Sequence, residues 1–175
     1  MAGVREAVLD RFAWVDGHAD IWAIFRDAAA LRVVVHALAQ PYATDNVTAV
    51  CGIESRGFLL GGAVAVQLGT GFVPIRKENG LFPGAKVSRA TAPDYRGHSH
   101  ILRMQQSAVN PGDRLVLVDD WIETGSQVTA ARDMISNCGA QLIGCSVIVD
   151  QMTDLLRHEI GRVNAVLRAD QLPPS

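Results

Sequence analysis

Residues 114–127 read Arg-Leu-Val-Leu-Val-Asp-Asp-Trp-Ile-Glu-Thr-Gly-Ser-Gln. The apolar run Leu115–Val118 is too short for a helix and rich in β-branched residues, which suits a central strand buried on both faces. Two adjacent carboxylates, Asp119 and Asp120, are expected where that strand ends. Thr124-Gly125-Ser126 then leads into a helical pattern that runs to about Asn137. A loop passing from a buried strand into a helix presents backbone N–H groups and the positive end of a dipole, both of which favour a phosphate. Carboxylates beside it suit ribose hydroxyls or a Mg²⁺ ion. The bland alternative is an ordinary strand–turn–helix joint whose acids face solvent.

The same grammar recurs upstream. Val47–Gly52 is a second buried strand, followed by the polar turn Glu54-Ser55-Arg56-Gly57 and a helix over Phe58–Leu68. Gly61-Gly62 with Ala63 and Ala65 would let that helix approach a sheet closely. Gly71–Ile75 is a third strand, ending in Arg76-Lys77. Residues 78–100 carry Gly80, Pro83, Gly84, Pro93 and Gly97 without periodicity, which is unusual in a compact domain unless the segment works as a lid. Ile101–Met104 reads as a short strand.

Nearer the N-terminus, Ala2–Asp10 can form a short amphipathic helix, and Asp27 is an N-cap for a helix over Ala28–Gln40. Phe25 just outside that start is a hydrophobic staple or an exposed aromatic. Downstream, Leu142–Val149, Thr153–Ile160 and Val163–Leu167 read as strand, helix and edge strand, with Pro173-Pro174 a frayed tail. The β/α alternation predicts an α/β fold with a doubly wound, mostly parallel sheet.

At 175 residues the chain is expected to form one domain, 1–175. A formal charge of −2 and the lack of a Lys/Arg run exclude a nucleic-acid surface. No stretch is apolar for long enough to span a bilayer, so no membrane partner is expected. The three cysteines have no metal spacing; Cys51 and Cys145 sit in apolar runs, as buried free thiols of a reducing cytoplasm would.

Val116–Gln127 resembles the phosphoribosyl pyrophosphate (PRPP) binding motif of the type I phosphoribosyltransferases. Gly52-Ile-Glu-Ser-Arg-Gly-Phe58, Val73-Pro-Ile-Arg-Lys77 and Ile24-Phe25-Arg26-Asp27 resemble segments of the adenine branch of that family. The resemblance implies a small N-terminal hood over about residues 1–40 and a mobile lid loop over 78–100. It implies a transferase that joins a purine, adenine first, to PRPP with Mg²⁺ as cofactor, acting as a homodimer. On this reading Thr124, Gly125, Ser126 and Gln127 hold the 5′-phosphate, and Asp119 and Asp120 orient the ribose, with a share in Mg²⁺. Ser55, Arg56 and Lys77 take pyrophosphate, while Ile24, Phe25 and Arg26 form the base-binding segment. Asp94 and Tyr95 arrive with the lid, and Glu123 or Asp94 handles the purine proton.

The chain departs from that pattern in three places. Glu123 stands where adenine enzymes carry Ala, and an acid there resembles the hypoxanthine-guanine branch. The basic residue usual before Leu-Pro-Gly is missing from Lys77-Glu-Asn-Gly-Leu-Phe-Pro-Gly84, with Lys86 a substitute; Asp94 replaces Glu. A 6-oxopurine, a deaza or otherwise modified purine, or a PRPP-sensing regulator without turnover stay open as alternatives.

Overall fold

The computed structural model describes residues 2–78, 82–93 and 99–174. In chain order these form α1 (Ala2–Leu9), β1 (Ala13–Val15), β2 (His18–Asp20), α2 (Trp22–Arg26), α3 (Ala28–Ala39), β3 (Ala49–Ile53), α4 (Arg56–Leu68) and β4 (Gly71–Ile75). There follow β5 (Lys86–Ala90), β6 (Ile101–Gln105), β7 (Arg114–Ile122), α5 (Ser126–Asn137), β8 (Gln141–Asp150), α6 (Asp154–Ile160) and β9 (Val163–Arg168). Strands β4-β3-β7-β8-β9 make one sheet, and every pairing in it is parallel.

Hydrophobic burial on both faces holds this sheet, which is why its strands read as continuous apolar runs. Val116 and Val118 of β7 pack with Val34 and Leu38 of α3 and Leu60 and Val64 of α4. Leu115 and Leu117 face the other way, onto Met134 and Ile135 of α5 and Leu102 and Met104 of β6. Cys51 and Cys145 are buried free thiols as expected, and burial pushes the Cys51 thiol up. Asp27 caps α3, its carboxylate accepting the Ala29 and Ala30 amides at 2.9 Å each. Those amides, Ala30 first, and the Arg11 guanidinium hold that carboxyl below its ordinary range.

Four expectations need adjusting. β7 does not end at its acids but runs on through Asp119 and Asp120 to Ile122, because its ladder with β8 continues to the Ile122–Asp150 pair. The stretch 78–100 is not wholly loop. Lys86–Ala90 forms β5, which pairs antiparallel with β6 in a ribbon outside the main sheet. Of the two α4 glycines only Gly61 serves close packing. A Cβ there would lie 2.6 Å from the Phe72 ring, whereas one on Gly62 would meet nothing within 4 Å. The C-terminal tail is tied down, since the Trp14 indole donates to the Pro173 carbonyl at 2.8 Å.

The N-terminal hairpin is a consequence of its turn. Asp16 and Gly17 both adopt positive φ, 50° and 75°, the geometry that reverses a two-residue hairpin. It sets β1 against β2 and brings the hairpin to the carboxyl edge of the sheet, where it shares a cavity with Arg56 and Trp121.

Candidate functional site

In a parallel sheet all carboxyl ends lie on one edge, so the polar turns after β3, β4 and β7 converge there. Between them lies a cleft of about 380 Å³. Ser55, Arg56, Lys77, Asp119, Asp120, Glu123 and the loop Thr124–Gln127 all line it. These residues were inferred from separate segments, and the fold brings every one of them to a single wall.

The turn after β3 doubles back tightly on its own strand. A Cβ on Gly52 would sit 2.1 Å from the Gly57 carbonyl oxygen, and one on Gly57 would sit 3.0 Å from Asp119 Oδ1. Two bare backbones in contact bring the start of α4 directly onto β3 and β7. The peptide between Glu54 and Ser55 is cis. Glu54 itself braces the next turn, taking Arg76 Nη2 at 3.0 Å and the Lys77 amide at 3.2 Å. The Arg76 hydrogen bond holds its carboxyl below the ordinary glutamate value.

The phosphate-type loop has the expected form. Gly125, at φ 73°, is the N-cap of α5 and offers that helix no side-chain cap. The Thr124 hydroxyl donates to Ser126 Oγ at 3.1 Å and receives the Ser126 amide at 3.4 Å. Donors at an N-terminus without a side-chain cap, facing a cleft, are what an anion requires. A Cβ on Gly125 would point inward instead, 3.0 Å from Ile160 and 3.2 Å from Met152 Sδ.

The two acids differ in surroundings. Asp119 Oδ1 accepts the amide of Asp120 at 2.9 Å. Burial, and next the neighbouring Asp120 charge, push the Asp119 carboxyl well above its ordinary value. Asp120 Oδ2 lies 3.1 Å from Arg56 Nε, yet it is buried and has no aligned hydrogen bond. Arg56 also stands 5.9 Å from the Trp22 ring centroid, so one guanidinium is held between an acid and an indole.

A stability prediction follows from the Asp119 shift. A carboxyl whose folded pKa is raised binds its proton more tightly in the native state than in the unfolded chain. Its contribution to stability is therefore full below pH 3.8 and is lost as pH rises through the raised value. Asp119→Asn removes that loss. The variant is expected to melt above wild type at pH 7 and to converge with it near pH 3, as thermal unfolding at both pH values will show. A variant that is less stable than wild type at pH 7 would refute the burial argument.

The base-binding segment is placed differently from the other candidates. The Ile24 side chain is fully buried in the core, which leaves the backbone of that residue as its group for a base edge. Phe25 is half-buried and packs edge-on against Trp22, ring centroids 5.5 Å apart, while Arg26 is exposed. None of the three lines the cleft or the neighbouring cavity. Lys86, the substitute cation, donates to the Gly84 carbonyl of its own loop. Asp94 and Tyr95 lie outside the described residues.

A second cavity, about 600 Å³, adjoins the first and shares Arg56, Trp121 and Glu123 with it. Trp14, Gly17, His18, Ala19 and Gln151 complete its walls. Sequence reasoning missed Trp121 and Gln151. A tryptophan directly after paired acids is a usable signal; Gln151, thirty positions downstream, carries none.

A parallel sheet whose carboxyl edge gathers a glycine-started helix, paired acids and two cations defines a phosphate-handling α/β protein of the nucleotide-binding class. The chain belongs to the phosphoribosyl transferase domain family, whose model matches residues 22–167. It is 40% identical over 153 residues to the adenine phosphoribosyltransferase of Paracoccus denitrificans, covering 83% of this chain and 80% of that one. Among solved structures, the adenine phosphoribosyltransferase of Rhodothermus marinus superposes with a TM-score of 0.85 at 30% identity, over 96% of this chain and 99% of that one. The Giardia lamblia enzyme in complex with 9-deazaadenine gives 0.77 at 31% identity, over 86% of each chain.

Proposed function

We propose that this chain transfers the phosphoribosyl group of PRPP to a purine, adenine first, releasing pyrophosphate. The observation that carries the reading is the single cleft joining the α5 N-terminus, Asp119, Asp120, Arg56 and Lys77. In the reaction a purine ring nitrogen forms a bond to the ribose C1, and pyrophosphate leaves with the electron pair of the breaking C–O bond. The ribose gains oxocarbenium character, so the protein's task is positioning and charge management. Amides of Thr124–Gln127 with the Thr124 and Ser126 hydroxyls hold the 5′-phosphate. Asp119 and Asp120 orient the ribose hydroxyls, and Ser55, Arg56 and Lys77 receive the pyrophosphate. Glu123, on the wall common to both cavities, takes the proton of the purine nitrogen, with Asp94 the other candidate.

Among the described residues no three His, Cys, Asp or Glu side chains gather to hold a metal. Mg²⁺ fits here as a partner of PRPP, with hard carboxylate oxygens of Asp119 or Asp120 as the protein's share; Asp120 Oδ2, ion-paired to Arg56, is buried without a hydrogen bond. When bound it would neutralise charge on the departing pyrophosphate.

Residues 1–40 as hood and 78–100 as lid, with Asp94 and Tyr95, complete the proposed single domain. A homodimer is supported by exposed apolar residues on the outer face of α4, Leu59 and Val66, the latter 81% exposed. A cytoplasmic setting is supported by three free thiols. Among the described residues no helix is long and apolar enough to cross a membrane.

The test is a panel of purine bases with PRPP and Mg²⁺, read by pyrophosphate release, with adenine expected to give the highest kcat/KM. PRPP binding without release on any base would favour the sensing regulator. Glu123 favours one rival, a 6-oxopurine or modified purine. Glu123→Ala restores the residue usual in adenine enzymes and is expected to shift the kcat/KM ratios among adenine, hypoxanthine and 7-deaza bases by about 10-fold or more. Unchanged ratios would remove Glu123 from the base site.

A further inference from the structure

Trp121 lines both cavities, and its orientation is set from outside the cleft. Its indole N–H donates to Gln151 Oε1 at 2.8 Å, across thirty residues of sequence. Gln151 is itself pinned. Its amide donates to the Ile122 carbonyl at 2.8 Å, continuing the β7–β8 ladder one residue past the end of β8. The residues on either side of it are anchored too. Asp150 is buried, accepts the Met152 amide at 2.9 Å, and is ion-paired to Arg157 and Arg168. The backbone that carries Gln151 is therefore fixed, and its exposed side chain is ordered by the bond to the indole itself. An indole whose N–H is tied to this acceptor cannot rotate about χ2 without breaking that bond.

Of the candidate clamp residues, Ile24 has its side chain in the core, and Phe25 is half-buried and packs edge-on against Trp22. Trp121 is the aromatic side chain that both cavities share. Building on the purine-transfer reading, we propose that Gln151 is a positioning residue for the acceptor base, holding the Trp121 indole as the flat wall on which the purine stacks. Stacking of a base on an indole is strong and depends on ring orientation. Loosening the ring therefore weakens base binding, while phosphate and ribose contacts, made by other side chains and by backbone amides, are untouched.

Steady-state kinetics with adenine and PRPP on Gln151→Leu, Gln151→Glu, Trp121→Phe and the Trp121→Phe/Gln151→Leu pair tests this. Gln151→Leu is expected to raise the KM for adenine about 2- to 10-fold, the range of one hydrogen bond, with the KM for PRPP unchanged. Gln151→Glu keeps an acceptor oxygen and should stay within about 2-fold of wild type. On the Trp121→Phe background, which has a ring but no N–H, adding Gln151→Leu should change nothing further. A wild-type adenine KM in Gln151→Leu, a parallel rise in both KM values, or an undiminished effect on the Trp121→Phe background overturns the proposal. Wild-type protein that turns over no purine defeats the reaction reading alone. Adenine quenching of tryptophan fluorescence then decides the positioning role. Quenching weakened by Gln151→Leu and kept by Gln151→Glu supports it; identical titrations, or no adenine-dependent change, overturn it.

Discussion

Gly125→Val is expected to abolish calorimetrically detectable PRPP binding and to destabilise the fold by about 2–5 kcal/mol. Two costs add. Left-handed backbone charges an L-residue about 1–2 kcal/mol, most for a β-branched one, and overpacking adds about 1–3 kcal/mol. The structure changes the reason for the effect. A side chain on a phosphate loop ordinarily acts by keeping the anion from the backbone. In the fold, the Cβ points away from the cleft into Ile160 and Met152, at 3.0 and 3.2 Å. The loop must therefore shift its backbone, and the amides at the start of α5 lose their aim. Gly125→Ala separates the two costs, because the far ends of Ile160 and Met152 can yield while the φ of 73° cannot. Adding Ile160→Val should return part of the stability lost in Gly125→Ala and none of the PRPP affinity. Urea unfolding and calorimetric titration on the three variants decide it. Wild-type PRPP affinity in a folded Gly125→Val protein would mean that the loop does not hold the phosphate.

Gly52→Ala, a single added methyl beneath the cleft, is expected to cost about 3 kcal/mol or more of stability. Its Cβ would lie 2.1 Å from the Gly57 oxygen and 2.7 Å from the Gly57 carbonyl carbon. Both are backbone atoms at the start of α4, so no rotamer change relieves the contact. Either α4 lifts from β3 or the strand bends, and in both cases Ser55 and Arg56 leave the wall of the cleft. For a chain of this size that corresponds to a fall of about 6–12 °C in Tm. Gly62→Ala is the matched control. It lies inside α4 with nothing within 4 Å of its Cβ, and should gain about 0.4–1 kcal/mol through the unfolded chain. Thermal unfolding of the two variants side by side checks both. Equal stabilities would show that the β3–α4 contact is not under the strain described.

Much of the fold was legible because its signals are local. An Asp before an Ala-rich run, a four-residue apolar segment before two acids, and a glycine between hydroxyl residues each obey short-range rules. The structure shows Asp27 as a cap, β7 as a central strand and Gly125 at a helix start. Boundaries were less legible. Asp119 and Asp120 read as loop residues, since the sequence does not show that β8 extends its ladder to Asp150. The strand at Lys86–Ala90 was missed for a similar reason. Four of its five residues are exposed, so no alternation marks it, and its partner β6 comes ten residues later in the chain.

The candidate site divides along the same line. Residue type and spacing by themselves marked the turn after β7 as a place for a phosphate and for ribose hydroxyls, because a glycine-started helix and paired acids are local features; the pyrophosphate role of the turn after β3 was implied only by the family resemblance. Only the tertiary structure decided which of them share a wall, that Asp120 is buried against Arg56, and that Ile24 belongs to the core. The Trp121–Gln151 bond is of the same kind, joining residues that meet only because β7 and β8 lie parallel and end together. Backbone conformation is chosen by interactions a few residues long and leaves a trace in the sequence. Contacts between side chains on different strands depend on register and sheet order, which are set by the packing of the whole core.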